Sequence, residues 1–241
     1  MLKTLSHPGT EVRKFIWLFL LVSFPVFAQT LTIHAVYSVL KDGFHLGTVT
    51  DDFTISNGHY RINSVTQADG LVALLMPKPI TATSEGTISK TGLRPLRFDQ
   101  WRGGSPDKDI HTLFNWTDHK LAMAFNGQNI IKPLPKDAQD RLSLMYNYSV
   151  TALPVGQFTI PMTTGKKIEA YTLRNKGIET IQTPAGTWKT EHIKRVTQPG
   201  DKGFDLWLAP SENYLPVRMI ISDSDGGGAF EQTLIQLKVN N

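Results

Sequence analysis

Beyond residue 30 the chain alternates. Leu31, Ile33, Ala35 and Tyr37 share one parity, with polar or β-branched residues between them, which is the period of a strand with one buried face. Lys41-Asp42-Gly43 turns the chain and residues 44–56 return along it. Asn57-Gly58 marks a two-residue hairpin, because both positions tolerate positive φ. Residues 59–67 follow, with Tyr60, Ile62 and Ser64 on one face. Further strands are predicted at 81–89, 96–101, 110–116, 120–125 and 128–132, then at 178–182, 187–196, 204–209, 215–222 and 229–239. Gly103-Gly104-Ser105-Pro106, Thr117-Asp118-His119, Asn126-Gly127, Thr183-Pro184-Ala185-Gly186 and the run from Asp223 to Gly228 punctuate them.

Two stretches depart from this period. Residues 71–76 (Leu-Val-Ala-Leu-Leu-Met) sit between Gly70 and Pro77, and their uniform apolarity fits one turn of buried helix or a buried strand equally. Near residue 137 the spacing changes to that of a helix. Asp137 is the expected N-cap, Asp140 completes a capping-box-like pair, and Leu142, Met145, Tyr146 and Val150 form an apolar stripe before Pro154 and Gly156. The expected fold is therefore mainly β: a strongly curved antiparallel sheet or incomplete barrel, with one short helix packed against it. A transmembrane barrel is weighed and set aside, because of the helix, the polar Asn240-Asn241 end and the shortness of the outward-apolar pattern.

The N-terminus reads differently. Arg13 and Lys14 precede an apolar run over 15–24, about 10 residues long, too short to cross a bilayer core of ~30 Å as a helix. Pro25 and Val26-Phe27-Ala28 follow, the pattern of a cleavage site. Residues 1–28 are expected to be a signal peptide cut after Ala28, and 29–241 a single β-rich domain. Without the leader the formal charge falls from +4 to about +2, and no basic cluster is long enough for a nucleic-acid tract. There is no cysteine, so neither disulfides nor acylation at a lipobox cysteine applies. Beyond the leader, nothing approaches the ~20 apolar residues of a spanning helix.

Fragments that resemble catalytic motifs fail on context. Ser105-Pro106-Asp107-Lys108 and Lys90-Thr91-Gly92 match S-x-x-K and K-T-G, but in the wrong order and with the serine in a loop. There is no G-x-S-x-G elbow and no H-E-x-x-H, and the histidines are scattered. His111, Asp118 and His119 are weighed as a convergent group and read as ordinary surface residues. Asp223 and Asp225 begin like a calcium loop, but Leu234 stands where the closing Glu is needed. No metal or cofactor is expected. Asp137, Asp140 and Arg141 form the most interesting polar group, with helix capping as the simpler reading. Leu71, Leu74, Leu75, Met76, Trp101, Trp116 and Tyr146 are the candidates for lining an apolar site.

A set of stretches then becomes recognisable. They are the ten residues from Leu134 to Ser143 (LPKDAQDRLS), Thr183-Pro184-Ala185-Gly186-Thr187-Trp188, Trp207-Leu208-Ala209-Pro210 and Tyr214-Leu215-Pro216-Val217-Arg218. In this order the chain resembles, from about Tyr37 to Leu237, the bacterial exported family known as domain of unknown function 3108. The resemblance implies a Gram-negative periplasmic or envelope setting and a β-rich domain. It implies no catalytic residues, because the family carries no established activity. Three functions are held against each other: non-enzymatic binding of an apolar ligand such as a lipid, a module that docks on another envelope protein, and a cell-envelope hydrolase using Asp137, Asp140 or a histidine as base.

Overall fold

The structure, a computed structural model, describes residues 30–224 and 226–240; the expected leader with its cleavage point after Ala28, and Asp225 of the glycine-rich turn, lie outside the described residues. The chain begins with β1 (Leu31–Lys41), β2 (Phe44–Ser56) and β3 (His59–Ala68), passes through a short helix α1 (Gly70–Leu75), and continues as β4 (Ile80–Ser89) and β5 (Gly92–Arg102). Next come β6 (Ile110–Asn115), β7 (Lys120–Phe125), β8 (Gln128–Pro133), the two-residue β9 (Gln139–Asp140) and α2 (Arg141–Tyr146). The remainder is β10 (Gln157–Thr163), β11 (Ile168–Thr183), β12 (Gly186–Arg195), β13 (Gly203–Ala209), β14 (Leu215–Ser222) and β15 (Ala229–Asn240).

All 15 strands belong to one sheet, in the order β8-β7-β6-β5-β4-β3-β2-β1-β15-β14-β13-β12-β11-β10-β9. Neighbours are antiparallel except β9 and β10, which run parallel. The first and last strands pair at the centre, Ile33 opposite Val239 and Ala35 opposite Leu237. The chain thus runs outward through β1–β8 to one edge, crosses over, and winds back inward from the other edge. The sheet is open: its ends, β8 and β9, do not pair with each other among the described residues. Helix α2 follows β9 directly, where the crossover from β8 enters the second wing, and packs beside β4, β5, β10 and β14.

Local chemistry explains the regularity. The hairpin tips Asp42-Gly43, Asn57-Gly58 and Asn126-Gly127 adopt positive φ at both positions (51° and 84°, 51° and 73°, 49° and 68°), which suits the twist of flanking antiparallel strands. Strict alternation buries Ile33, Ala35 and Tyr37 on β1, Val49, Asp51 and Phe53 on β2, and Tyr60, Ile62 and Ser64 on β3. These residues join Leu206, Leu208, Val217 and Leu234 from the other wing in one apolar cluster with α2. The wings also touch directly. The β10–β11 turn brings Gly165 so close to Ile110 on β6 that an added Cβ would sit 2.2 Å from its Cγ2, so only glycine fits there.

Several expectations need correction. Among the described residues there are two short α-helices, not one, and residues 71–75 are helical but not buried: no residue of α1 is buried. Helix α2 begins at Arg141, and its N-cap is Asp140; Asp137 has φ 56° and lies in the preceding turn. Strand β5 begins at Gly92, so Lys90-Thr91 is simply the hairpin turn between β4 and β5. Strand β10 and the first half of β11 were not anticipated. Pro161 masks the alternation of β10, yet it is tolerated because β11 pairs with it on one side while β9 reaches only Met162 and Thr163 on the other.

Candidate functional site

The site starts from the way α2 is bolted down. Asp140 Oδ1 accepts from the amides of Leu142 and Ser143, both at 2.9 Å, and the Asp140 amide donates to Ser143 Oγ at 2.9 Å. Its other oxygen accepts from Ser84 Oγ of β4 at 2.6 Å. Burial pushes the Asp140 carboxyl pKa up, and the bonds from Ser84 and the helix amides pull it back. Gln139 Nε2 donates to the Leu93 carbonyl at 2.8 Å, and the Leu93 amide donates to Asn147 Oδ1 at 2.9 Å, tying both ends of the helical segment to β5.

Between this helix and the sheet lies a cavity of about 340 Å³, within the range of ~300–1,000 Å³ usual for small-molecule sites. Leu142, Leu144 and Met145 form its roof; Val49 and Thr66 line one wing; Met162, Phe204, Met219 and Ile221 line the other. Polar groups also line it, among them Asp51, Ser64, Thr164, Lys202 and Gln232. Asp51, the inward residue between Val49 and Phe53, is buried, and Oδ2 accepts from Tyr146 at 2.8 Å. Ser64 stands opposite it across the β2–β3 ladder, but no hydrogen bond reaches Asp51 Oδ1. Burial raises the Asp51 pKa to about 6, against the neighbouring Ser64 hydroxyl, the bond from Tyr146 and the charge of Arg141. The Tyr37 hydroxyl donates to the Pro216 carbonyl at 2.9 Å, fixing the ring beneath Tyr146.

Arg141 also lines the cavity. Alone among α2 residues it is exposed. Its guanidinium lies 5.5 Å from the Phe98 ring centre and, among the described residues, has neither a hydrogen bond nor an ion pair. Burial lowers its pKa while Asp140 and Asp51 raise it, and a guanidinium so placed stays cationic.

The anticipated residues are dispersed. Leu71, Leu74 and Leu75 are 81%, 77% and 85% exposed, and Met76 is exposed beside them; α1 follows directly from β3, whose Ser64 and Thr66 face the cavity. Trp101 lies edge-on to His111, and Trp116 stacks on Phe114 with its indole N–H bonded to the Pro95 carbonyl at 2.6 Å, both away from the cavity. Tyr146 reaches the site through Asp51. Of the polar trio only Arg141 lines it, for Asp140 is consumed in capping and Asp137 accepts from Thr91 at 2.7 Å on the exposed turn. His111 bonds Asp99 at 2.8 Å while Asp118 bonds Asn115, so they do not converge. Among the described residues no group of three His, Asp or Glu is arranged to hold a metal. Asp51, missed in the sequence, carried a readable signal: a carboxylate on the inward parity of an otherwise apolar face.

A second charged cluster occupies β11–β13. His192 is clamped between Glu179 Oε1 at 2.8 Å and Asp205 Oδ1 at 2.7 Å, stacked 4.2 Å from Trp207, whose Nε1 donates to Glu179 Oε2 at 2.9 Å. Lys194 adds a bond to Asp205 at 3.2 Å. Burial pulls the His192 pKa down, but the hydrogen bonds to Asp205 and Glu179 prevail and hold it above the ordinary histidine value.

Comparison with known proteins bears on the fold and the family. Residues 31–234 match the family described as Protein of unknown function (DUF3108). A crystal structure of a beta-barrel-like protein of domain of unknown function DUF1849 from Brucella abortus superposes with a TM-score of 0.52 at 11% identity, covering 89% of this chain and 98% of that one. Weaker similarity, with a TM-score of 0.31 at 12% identity over 89% of this chain and 98% of the other, links it to a Bacteroides fragilis protein described as exported with a YmcC-like fold. No curated protein matches.

Proposed function

The chain belongs to the DUF3108 family of proteins of unknown function, and from that premise we propose that it is an exported, non-catalytic protein of the bacterial envelope that binds an apolar ligand between the wings of its sheet. The carrying observation is the cavity under α2, walled by aliphatic and thioether side chains from both wings. In this reading the sheet acts as an incomplete barrel within one domain spanning residues 29–241, and a leader over 1–28 delivers it to the periplasm. The apolar leader and its cleavage pattern support that delivery. Sheets curled around a core commonly enclose one small ligand. The exposed leucines of α1, at the end of a cavity-lining strand, are where the ligand enters or where a lipid surface is met.

One observation favours a second reading. An unpartnered apolar helix such as α1 equally suits docking on another envelope protein. A hydrolase has less support, because both oxygens of the buried Asp140 carboxylate already accept hydrogen bonds and Asp137 stands apart on the surface.

The deciding experiment is native mass spectrometry of the chain from Gln29, expressed in a bacterial periplasm. An adduct of lipid mass, released on denaturation and diminished by filling the cavity with Met219→Trp in a variant that still folds, supports the binding reading. An apo mass, with no uptake of added single-chain amphiphiles, overturns it and leaves α1 as the feature to explain.

A further inference from the structure

We infer that the occupant of the cavity is an amphiphile with an anionic head, a carboxylate or phosphate on a single acyl chain, and that Arg141 holds that head. The inference rests on the binding function proposed above and specifies its ligand.

The argument begins with what the cavity leaves unsatisfied. A guanidinium presents five donors in a rigid fork and does not lose its charge. Arg141 lines a cavity whose other lining is mostly apolar, and its guanidinium lies 5.5 Å from the Phe98 ring centre. The nearest wall carboxylate does not close on it. Asp51 gives one oxygen to Tyr146 and leaves the other without a hydrogen bond, and no ion pair joins it to Arg141 among the described residues. Elsewhere the half-buried Arg218 pairs with Glu231 at 2.7 Å, and the buried Arg195 with Asp201 at 3.3 Å and the Lys202 carbonyl at 3.1 Å. Arg141, which lines the apolar cavity, has no such partner among the described residues.

Arg102 is close enough to Arg141 to depress its pKa, and Lys202 also lines the cavity while bonding Asp223 at 2.7 Å. A planar oxyanion matches the arginine fork with two parallel hydrogen bonds, the strongest neutralisation available to it. The apolar remainder of the cavity then accommodates a chain rather than a free anion. An inorganic phosphate ion would leave Leu142, Met145, Met162 and Phe204 facing empty space.

The test compares ligands of one chain length and different heads on the unmodified protein: laurate, lauryl phosphate, lauryl alcohol and dodecyltrimethylammonium, by isothermal titration at fixed ionic strength below their micelle concentrations. The expected order is anion well above alcohol, with the cation weakest. Arg141→Gln lowers laurate affinity about tenfold or more, the scale of one charge-assisted hydrogen-bonded pair, and leaves the alcohol unchanged; Arg141→Lys falls between. Circular dichroism of both variants confirms the fold, since Arg141 makes no internal bond to lose. Laurate against lauryl phosphate distinguishes fatty acids from phosphate-headed lipids as the natural class. Equal binding of alcohol and laurate, or an unchanged laurate affinity in Arg141→Gln, overturns the headgroup assignment while the cavity reading stands. No binding of any probe overturns both. Binding of inorganic phosphate alone with laurate's affinity also overturns it, because the chain would then contribute nothing.

Discussion

The two charged groups of the molecule differ in how completely they are paired. On β11–β13, Glu179, His192, Asp205 and Lys194 satisfy one another, with Trp207 contributing both a stacked face and an N–H. Under α2, Arg141 has no hydrogen-bonding partner and Asp51 has half of one. In the first group the nearly buried His192 and Asp205 recover the cost of lost water within the fold. In the second, the buried Asp51 recovers only part of it and Arg141 stands exposed at the cavity with its donors free for a ligand. The closed cluster should therefore govern stability, and the open one should govern binding.

Four substitutions would break or sharpen that contrast. The largest effect is expected at the support of the site rather than within it. Asp140→Ala removes an N-cap and leaves the buried hydroxyl of Ser84 with only Tyr60 as partner, so it should cost about 2–3 kcal/mol in urea denaturation. A loss below 1 kcal/mol would mean α2 is held by its apolar face alone.

His192→Gln comes next, at about 2 kcal/mol where the imidazole is charged. The folded pKa lies above the unfolded one, so the stabilisation is fully present below the unfolded value near 6.5 and is lost as pH rises through the folded value. The gap between wild type and variant in thermal unfolding should thus be wide at pH 5.5 and narrow in alkaline buffer. A gap that widens with pH would show that His192 is folded as a neutral ring.

Asp51→Asn should act in the opposite direction and raise stability at pH 7 by about 1–2 kcal/mol. Burial lifts the Asp51 pKa from 3.8 to about 6, so the native state holds its proton more tightly. Stability from this group is greatest below pH 4 and declines between pH 4 and pH 6, and an amide removes that decline while still accepting from Tyr146. Equal stability of the two proteins across this range in guanidinium titrations would contradict the burial argument. The smallest effect belongs to Arg141→Gln, expected within about 0.5 kcal/mol because no internal bond is lost; a larger loss by differential scanning fluorimetry would make Arg141 part of the fold and not of the site.

Much of the architecture was legible along the chain. Alternation over β1, β2 and β3 and the Asn57-Gly58 and Asn126-Gly127 tips are local signals, set by side-chain parity and by which residues accept positive φ. Strand β10 was hidden by Pro161, whose tolerance depends on a neighbour β9 that stops at two residues. The uniform apolarity of residues 71–76 indicated burial, yet α1 stands exposed, because composition does not say whether anything covers a segment. Asp137 looked the better cap, but only the crossover geometry brings Ser84 to Asp140 and so decides which aspartate starts the helix.

What the sequence determined by itself, then, is the β character, the turns and the inward parity that carries Asp51, all consequences of interactions between residues close along the chain. Tertiary structure alone decided that β1 pairs with β15, that α2 packs beside strands of both wings, and that Arg141 and Asp51 line one cavity. Those groups lie far apart in sequence. Their meeting depends on the sum of strand pairings over the whole sheet, which no local pattern of polar and apolar residues encodes.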